Sequence, residues 1–434
     1  MKKRISATFL LLFVFAGAFS GYAANADGNQ KNDSSKVYFF IKKELNTGVF
    51  FSGSKEREEI RTDETKNNEE LFTGLAGFRF ENRVWNFLSY KQEFIDLTFD
   101  VGPFLGTGSW IDSTSFRMVD GDQTTAGLRA KLAVDYNSRF YYDDRNYTLV
   151  EINAWVRDDV FHQKIDGSVR DSSQSWSDFE DGGLENKFRY GFQAKAGWGM
   201  GKLNPMNHYM VAEYLLNNYY KGRLFSVEEM ERLANKITEL KLKRDPSVKR
   251  NYEAELSEIA EFLRSSMFLA NPEIPEAEWE LGEFMPRLRG SRIEMGPFFN
   301  YYNREPDFYY GGFIQYDNAK YVNVKWNRNF SANLKYSHYK HHDWVTLETV
   351  LGWTHYINLK SQVGFGLKYI PGTVVHDWDD FEPVKHNFIP YVEYYTQVNS
   401  KTRMNFSFAW KLGDGEEFML TGPEFSLAIY KSRY

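Results

Sequence analysis

The chain has 434 residues, no cysteine and a formal net charge of −6. Aromatic residues make up 18% of it, yet mean hydropathy is only −0.55. That combination excludes a helical membrane bundle, whose spans need ~20 continuous apolar residues. The absence of cysteine excludes thiol chemistry and a lipid-anchoring cysteine, and the mild acidity gives no footing for nucleic acid.

Residues 1–26 read as a signal peptide. Lys2, Lys3 and Arg4 precede the apolar run Phe9–Phe15, and Ala24-Asn25-Ala26 supplies a small-residue cleavage site. Export across a membrane is the expectation that follows.

From about residue 45 the chain alternates with a period of two. In Leu184–Met200, Phe188, Tyr190, Phe192, Ala194, Ala196 and Trp198 interleave with Lys187, Arg189, Gly191, Gln193, Lys195 and Gly197. Ile95, Leu97, Phe99 and Val101 interleave with Asp96, Thr98 and Asp100. A strand with one apolar and one charged face produces this pattern. Fourteen strands are predicted, at about 46–60, 71–83, 91–103, 123–136, 146–160, 185–200, 290–302, 308–322, 328–338, 343–357, 361–370, 386–397, 402–412 and 419–433. So many half-apolar strands cannot all be buried in soluble sheets. The expected fold is all-β, an antiparallel up-and-down transmembrane barrel.

The connections sort by parity. Even-numbered ones are short: Val84–Tyr90, Asn137–Arg139, Asn327–Asn329, Asn358–Ser361 and Asn399–Lys401. Asparagine opens four of the five, and it tolerates the left-handed backbone of tight turns. Odd-numbered connections include the long polar stretches Lys55–Glu70, Gly106–Gln123, His162–Gly183 and Pro371–Lys385. Short turns at one end and long loops at the other are the habit of such barrels, with both termini on the short-turn side.

One even connection is long. Residues 203–287 divide a first barrel part (27–202, about six strands) from a second (288–434, about eight) and carry helical signals. A short helix is predicted near Asn207–Tyr219. Ser226 with Glu229 spells a capping box, and Met230, Leu233, Ile237 and Leu240 follow as one stripe. A second helix is expected from Asp245-Pro246, with the stripe Tyr252, Leu256, Ile259, Leu263 and Met267. These stripes either pack on each other or dock a periplasmic or envelope partner. The partner-docking candidates are Met230, Leu233, Ile237, Leu240, Leu256, Ile259 and Leu263.

The last residue is Tyr434, at the end of a strand with the apolar face Phe425, Leu427 and Ile429. In this the chain resembles Gram-negative outer-membrane β-barrel proteins, porin-like ones included, whose final strand ends in an aromatic. Ser432 departs from the apolar residue expected two places earlier, whereas Tyr430 fits. No single named family is indicated. The resemblance implies an outer-membrane location, contact with lipid and lipopolysaccharide, and insertion by the barrel-assembly machinery.

Charge on a lipid-facing strand costs ~2–4 kcal/mol near mid-bilayer, so the charged face should look inward. The candidate pore-lining residues are Arg129, Lys131, Glu151, Trp155, Arg157, Lys187, Arg189, Lys195, Lys335, Glu348, Lys368 and Lys411. Either they line water and favour anions weakly, or they pair across a full lumen. Trp155 alternates with Glu151, Asn153 and Arg157, which makes it the best candidate for stacking a sugar; the other tryptophans suit an interface girdle. His162, His338, His341, His342 and His376 fall on predicted loops, with Asp377, Asp379 and Asp380 beside the last. They lack metal-site spacing, and no Gly-x-Ser-x-Gly or His-Glu-x-x-His is present. Neither metal, cofactor nor catalysis is expected. The leading expectation is a channel for small polar or weakly anionic solutes. The alternatives are a docking barrel that recruits through 203–287, and a hydrolase built from loop histidines and aspartates.

Overall fold

A computed structural model describes residues 38–434, except 62–64, 115–116, 171–174, 245–250, 271–273, 275–278, 280–285, 304–306, 341, 359, 378–379, 400, 415–419 and 433–434. Residues 1–26, expected to be a signal peptide, and Tyr434 fall outside the described residues. The strands are β1 (Phe40–Arg61), β2 (Thr65–Phe87), β3 (Lys91–Thr114), β4 (Met118–Tyr141), β5 (Asn146–Arg170), β6 (Trp176–Pro205), β7 (Leu288–Tyr302), β8 (Phe308–Asn323), β9 (Trp326–Tyr339), β10 (His342–Tyr356), β11 (Ser361–Asp377), β12 (Asp380–Phe381), β13 (Lys385–Gln397), β14 (Thr402–Gly413) and β15 (Gly422–Ser432). Between β6 and β7 lie α1 (Asn207–Tyr219), α2 (Val227–Leu242) and α3 (Tyr252–Ser266).

Apart from the two-residue β12, each strand pairs antiparallel with the strands before and after it, and β1 pairs with β15. The sheet is a closed fourteen-stranded barrel with no free edge around its closed girth. Alternation sets the two faces. Phe78 is 70% exposed and Leu105 67%, and Val49, Phe51, Leu128, Ile314, Leu351 and Ile429 share that outer face. Polar and charged residues occupy the intervening positions. They meet partners on strands that are not neighbours, which only the barrel interior permits: Arg129 of β4 reaches Glu56 of β1.

The wall is uneven. β5 has 25 residues and β6 has 30, whereas β13 has 13 and β15 has 11. A 24-residue strand at the usual ~40° tilt rises ~60 Å, and a 14-residue one ~35 Å. The short wall, β7 to β15, suffices to cross ~30 Å of hydrocarbon. The tall wall, β1 to β6, projects ~25 Å beyond it, at the end opposite the helices. This corrects the loop assignments: Lys55–Glu70, Gly106–Gln123 and His162–Gly183 are continued ladders, with Glu56 paired to Leu71, Gly108 to Gln123 and Gln163 to Gly183. Beyond the lipid the outer face turns polar while backbone pairing continues, and Phe161 and Ile165 stay buried on the inner face.

The helical insert has its own core. Leu233, Ile237 and Ile259 are fully buried, Leu240 and Leu263 nearly so, against Met210, Val211, Leu215, Leu216 and Trp279. Met230 and Leu256 pack on the edge of this cluster. Leu233, Ile237, Leu240, Ile259 and Leu263 thus face one another inside the insert, while Met230 and Leu256 stay partly exposed at its rim. The Ser226 capping box forms in both directions. The start at Asp245-Pro246 lies outside the described residues; α3 is capped by the Asn251 side chain instead.

Candidate functional site

The lumen is filled on the tall side. Phe50, Leu75, Phe104 and Phe161, from β1, β2, β3 and β5, bury one another with Ala428 and Tyr430 of β15. Above this apolar floor lies an ionic layer. Glu56 binds Arg129 and Arg157 at 2.7 Å each, with Arg189 of β6 at 3.6 Å; Asp159 holds Arg129 at 2.8 Å and Arg157 at 2.7 Å. The guanidinium of Arg129 lies 4.6 Å from the Phe104 ring centre and that of Arg79 4.7 Å from Phe50, joining floor and layer. The last β1–β15 rung is Gly53–Phe425 and the last β6–β7 rung is Gly191–Tyr302. Glu56 and Arg189 lie just beyond these rungs. The ionic layer therefore ties together the two edges of the tall sheet where it leaves the closed ring.

Most of the candidate cations already hold a carboxylate. Lys187 binds Glu69 at 2.6 Å, Lys195 binds Glu151 at 3.1 Å, Lys368 binds Glu348 at 2.8 Å and Lys411 binds Glu424 at 2.6 Å. Of the two arrangements open to the sequence, these residues follow the paired one. Two lysines differ: among the described residues, Lys131 and Lys335 make no hydrogen bond or ion pair. Lys131 and Asp135 on β4, Glu393 on β13 and Asn405 on β14 all point inward and are exposed to solvent. Water therefore reaches the middle of the barrel. Fourteen strands enclose more space than their own side chains fill.

Sequence reasoning missed Glu56, Glu69, Asp159, Arg139 and Glu44. Glu56 and Glu69 sat in an assumed loop. Arg139 joins Glu294 of β7 and Glu151 of β5, and Glu44 joins Arg403 of β14, so the Arg139–Glu294 and Glu44–Arg403 ties skip over intervening strands. An inward alternation carried past the last apolar residue would have flagged Glu56, since it continues Ser52 and Ser54.

The inner mouth, on the short-turn side, is covered. Gly201 (φ +102°) and Gly290 (φ +129°) bend the β6–β7 ribbon. A Cβ at either would lie within 2.3 Å of a backbone oxygen of the opposite strand, so only glycine fits. Past the bend, Gln92 of β3 donates to the Leu203 carbonyl at 2.7 Å, and Lys202 donates to the Ser89 carbonyl at 2.6 Å. From the other edge of the ribbon, Arg287 donates to the Val324 and Trp326 carbonyls in and beside the β8–β9 turn, and its guanidinium lies over Tyr321 and Tyr356. The insert core touches Tyr38, which leads into β1, and Tyr321 of β8. In a ring of fourteen, β1 and β8 are diametrically opposite. A body that touches both lies across the opening.

The histidines sit apart. His338 pairs with Asp343 at 2.6 Å on the outer face of β9 and β10, and His376, near the end of β11, pairs with Glu382 at 3.0 Å. Ser337, the neighbour of His338, points to the opposite, inner face and is buried. Among the described residues no group of three or more acidic or histidine side chains is placed to hold a metal.

No protein-family model matches the chain, and no curated protein matches it. Solved structures similar to it include the transport unit of the autotransporter AIDA-I from Escherichia coli, 9% identical, covering 96% of this chain and 94% of that one, with a TM-score of 0.29. The COG4313 outer membrane channel from Pseudomonas putida F1 is 9% identical over 94% of this chain and 99% of that one, at 0.31. OprB of Pseudomonas putida is 9% identical over 91% and 92%, at 0.28.

Proposed function

We propose that the protein is an outer-membrane channel for small polar solutes, exported by residues 1–26 and covered at its periplasmic mouth by its own 203–287 segment. The carrying observation is that Lys131, Asp135, Glu393 and Asn405 face a solvent-reached lumen behind an apolar outer wall. The outward apolar face suits lipid, and its lipopolysaccharide leaflet would surround the projecting tall wall. Insertion would use the barrel-assembly machinery. No cofactor enters this reading.

Paired charge over most of the wall argues for a weak ion preference, set by the lysines that no carboxylate neutralises. The insert then acts on its own barrel. Its stripes form an internal core, its ribbon bends at two glycines, and its contacts fall on opposite rims. This favours a cover over a module that recruits a periplasmic partner.

The experiment is single-channel recording in planar bilayers of the full chain and of a variant lacking 207–286. Met206 N–H donates to the Arg287 carbonyl at 2.6 Å, so a short glycine link joins the ends. Expected are rare, brief openings for the full chain and sustained conductance for the deletion. Silence from both, with the barrel folded by heat-modified gel migration, would overturn the channel. Equal sustained currents would remove the cover.

A further inference from the structure

Five aromatic rings line the inner face where the short wall meets the outer opening. Trp155 of β5 lies 6.2 Å from Tyr302 of β7, centre to centre. Tyr302 lies 6.2 Å from Tyr309 of β8, Tyr309 lies 5.8 Å from Trp344 of β10, and Trp344 stacks on Tyr339 of β9 at 5.3 Å. The run is continuous across five strands. Tyr339 is buried, and the other four are half-buried with part of each ring open to the lumen.

An interface girdle does not explain them. The girdle here consists of their sequence neighbours Tyr301, Phe308 and Tyr310, which alternation turns outward and leaves 43–49% exposed. Nor do the rings merely fill space. Gly191 of β6 supplies the seat for the first pair: a Cβ there would stand 2.5 Å from the Tyr302 ring and 2.6 Å from the Trp155 indole nitrogen. The wall omits a side chain where the two rings sit.

One rung deeper, four of the five inward positions are polar: Asn153 below Trp155 and Thr346 below Trp344 are half-buried, Asn300 below Tyr302 and Ser337 below Tyr339 are buried, and Gly311 lies below Tyr309. Hydrocarbon would find no use for that rung. A pyranose ring has an apolar C–H face that packs on an aromatic face and a rim of hydroxyls that seeks donors and acceptors. Rings with amides and hydroxyls beside them match both parts. We infer that this collar is a docking ledge for sugar rings, and that sugars are the solute class the channel admits. This rests on the channel reading and gives that channel its substrate.

The test pairs two readouts on the full chain. In detergent, tryptophan emission is titrated with a linear glucose oligomer, and with benzoate and hexanoate as controls. In planar bilayers the same solutes are added to an open channel and interruptions of current are counted. Expected is a saturable emission change with the oligomer, weakened at least several-fold in Trp344→Ala and partly restored in Trp344→Phe, with oligomer-dependent interruptions lost in the same variant. Trp155→Phe should remove part of the emission change and serves where Trp344→Ala fails to fold. A conducting channel that neither responds in emission nor is interrupted by the oligomer overturns the ledge and leaves the channel standing. A response to benzoate equal to that of the oligomer also overturns it. Absence of current from every variant sinks the channel reading, and saturable emission would then leave the ledge as a sugar site alone.

Discussion

Strands β1 to β6 run 22 to 30 residues, whereas the barrel strands from β7 onward run 11 to 17. The two walls also treat charge differently. On the tall wall, Glu56, Glu69 and Asp159 bind the arginines and lysines of the same six strands, over a floor of phenylalanines. On the short wall the inward groups include Lys335 and Glu393, which have no partner among the described residues, beside half-open aromatic rings. Around Glu56 and the phenylalanine floor the tall wall matches its own charges and packs its own side chains, which leaves no room for a solute there. The difference therefore favours a passage along the short wall, from the ring collar past Lys335 to the covered mouth, with Lys131 and Asp135 of β4 open to the same water at mid-barrel.

The largest expected effect comes from cutting the tie between the walls. Arg139 is 5% exposed and Glu294 1%, and their side chains bond directly from β4 to β7. Truncating Arg139 removes one of two arginines from Glu294, which keeps Arg292 at 3.2 Å and the Tyr147 hydroxyl at 2.9 Å, so the cost falls at the low end for a broken buried pair, about 3 kcal/mol. Arg139→Ala should lower the urea midpoint of the folded, slow-migrating gel form by that amount. A change under ~1 kcal/mol would mean that water already screens the pair.

Glu56→Gln comes next. It keeps the shape but removes the charge that three arginines share, and lost charge-assisted bonds of this kind cost about 1–3 kcal/mol. If the tall side is sealed by its apolar floor, single-channel conductance should stay near that of the parent chain, with a modest drift toward anions. A large rise in conductance would put the passage on the tall side and reverse the comparison.

Lys335→Glu sharpens the same contrast from the other wall. Its ammonium lies between two ion pairs, Lys195–Glu151 and Lys368–Glu348, and bonds directly to neither carboxylate. Reversal potentials under a salt gradient should shift a few-fold toward cations, with stability changed by less than ~0.5 kcal/mol. The equivalent change at Lys411, which Glu424 already neutralises, should move selectivity less.

How far the sequence could be read follows the same division. The predicted short-wall strands 290–302, 308–322 and 386–397 match Leu288–Tyr302, Phe308–Asn323 and Lys385–Gln397 almost residue for residue. There the alternation and the ladder end together, because lipid covers nearly the whole strand. On the tall wall 146–160 became Asn146–Arg170: past Val160 the apolar residues change face, with Phe161 and Ile165 buried inward and His162, Lys164 and Asp166 exposed outward, so the stretch no longer reads as a lipid-facing strand. The ion-pair hub was hidden for that reason: Glu56 looked like a loop residue. Parity of the turns was legible, because asparagine marks the tight ones. The pairing of lumen cations was not, because it depends on which strands face each other across the barrel, and residue order alone does not state this. The insert was half legible. All three helices were expected, α1 at Asn207–Tyr219 and the other two from their stripes, but their burial against one another and Trp279 depends on contacts between separate segments.

The smallest predicted effect concerns the cover and leaves both walls untouched. Glu255 of α3 is partly buried, which by itself would raise its pKa. The Arg244 guanidinium at 2.7 Å and the Trp279 indole N–H at 2.6 Å donate to its carboxylate, and Arg244 and Lys241 add positive charge, so the net shift is below the usual glutamate range. A carboxyl whose folded pKa is depressed adds stability above its unfolded value, near 4.5, and that contribution fades as pH falls through the lower folded value. Acidification below pH ~4.5 should therefore loosen the insert, where Trp279 and α3 meet, before it opens the barrel. Bilayer recordings of the full chain should show more frequent openings as pH drops through that window, while the gel form remains folded. Glu255→Gln cannot titrate there, so its opening frequency should start higher and lose most of its acid dependence. An unchanged acid response in that variant would move the sensitivity to the walls, and with it the claim that cover and barrel yield separately.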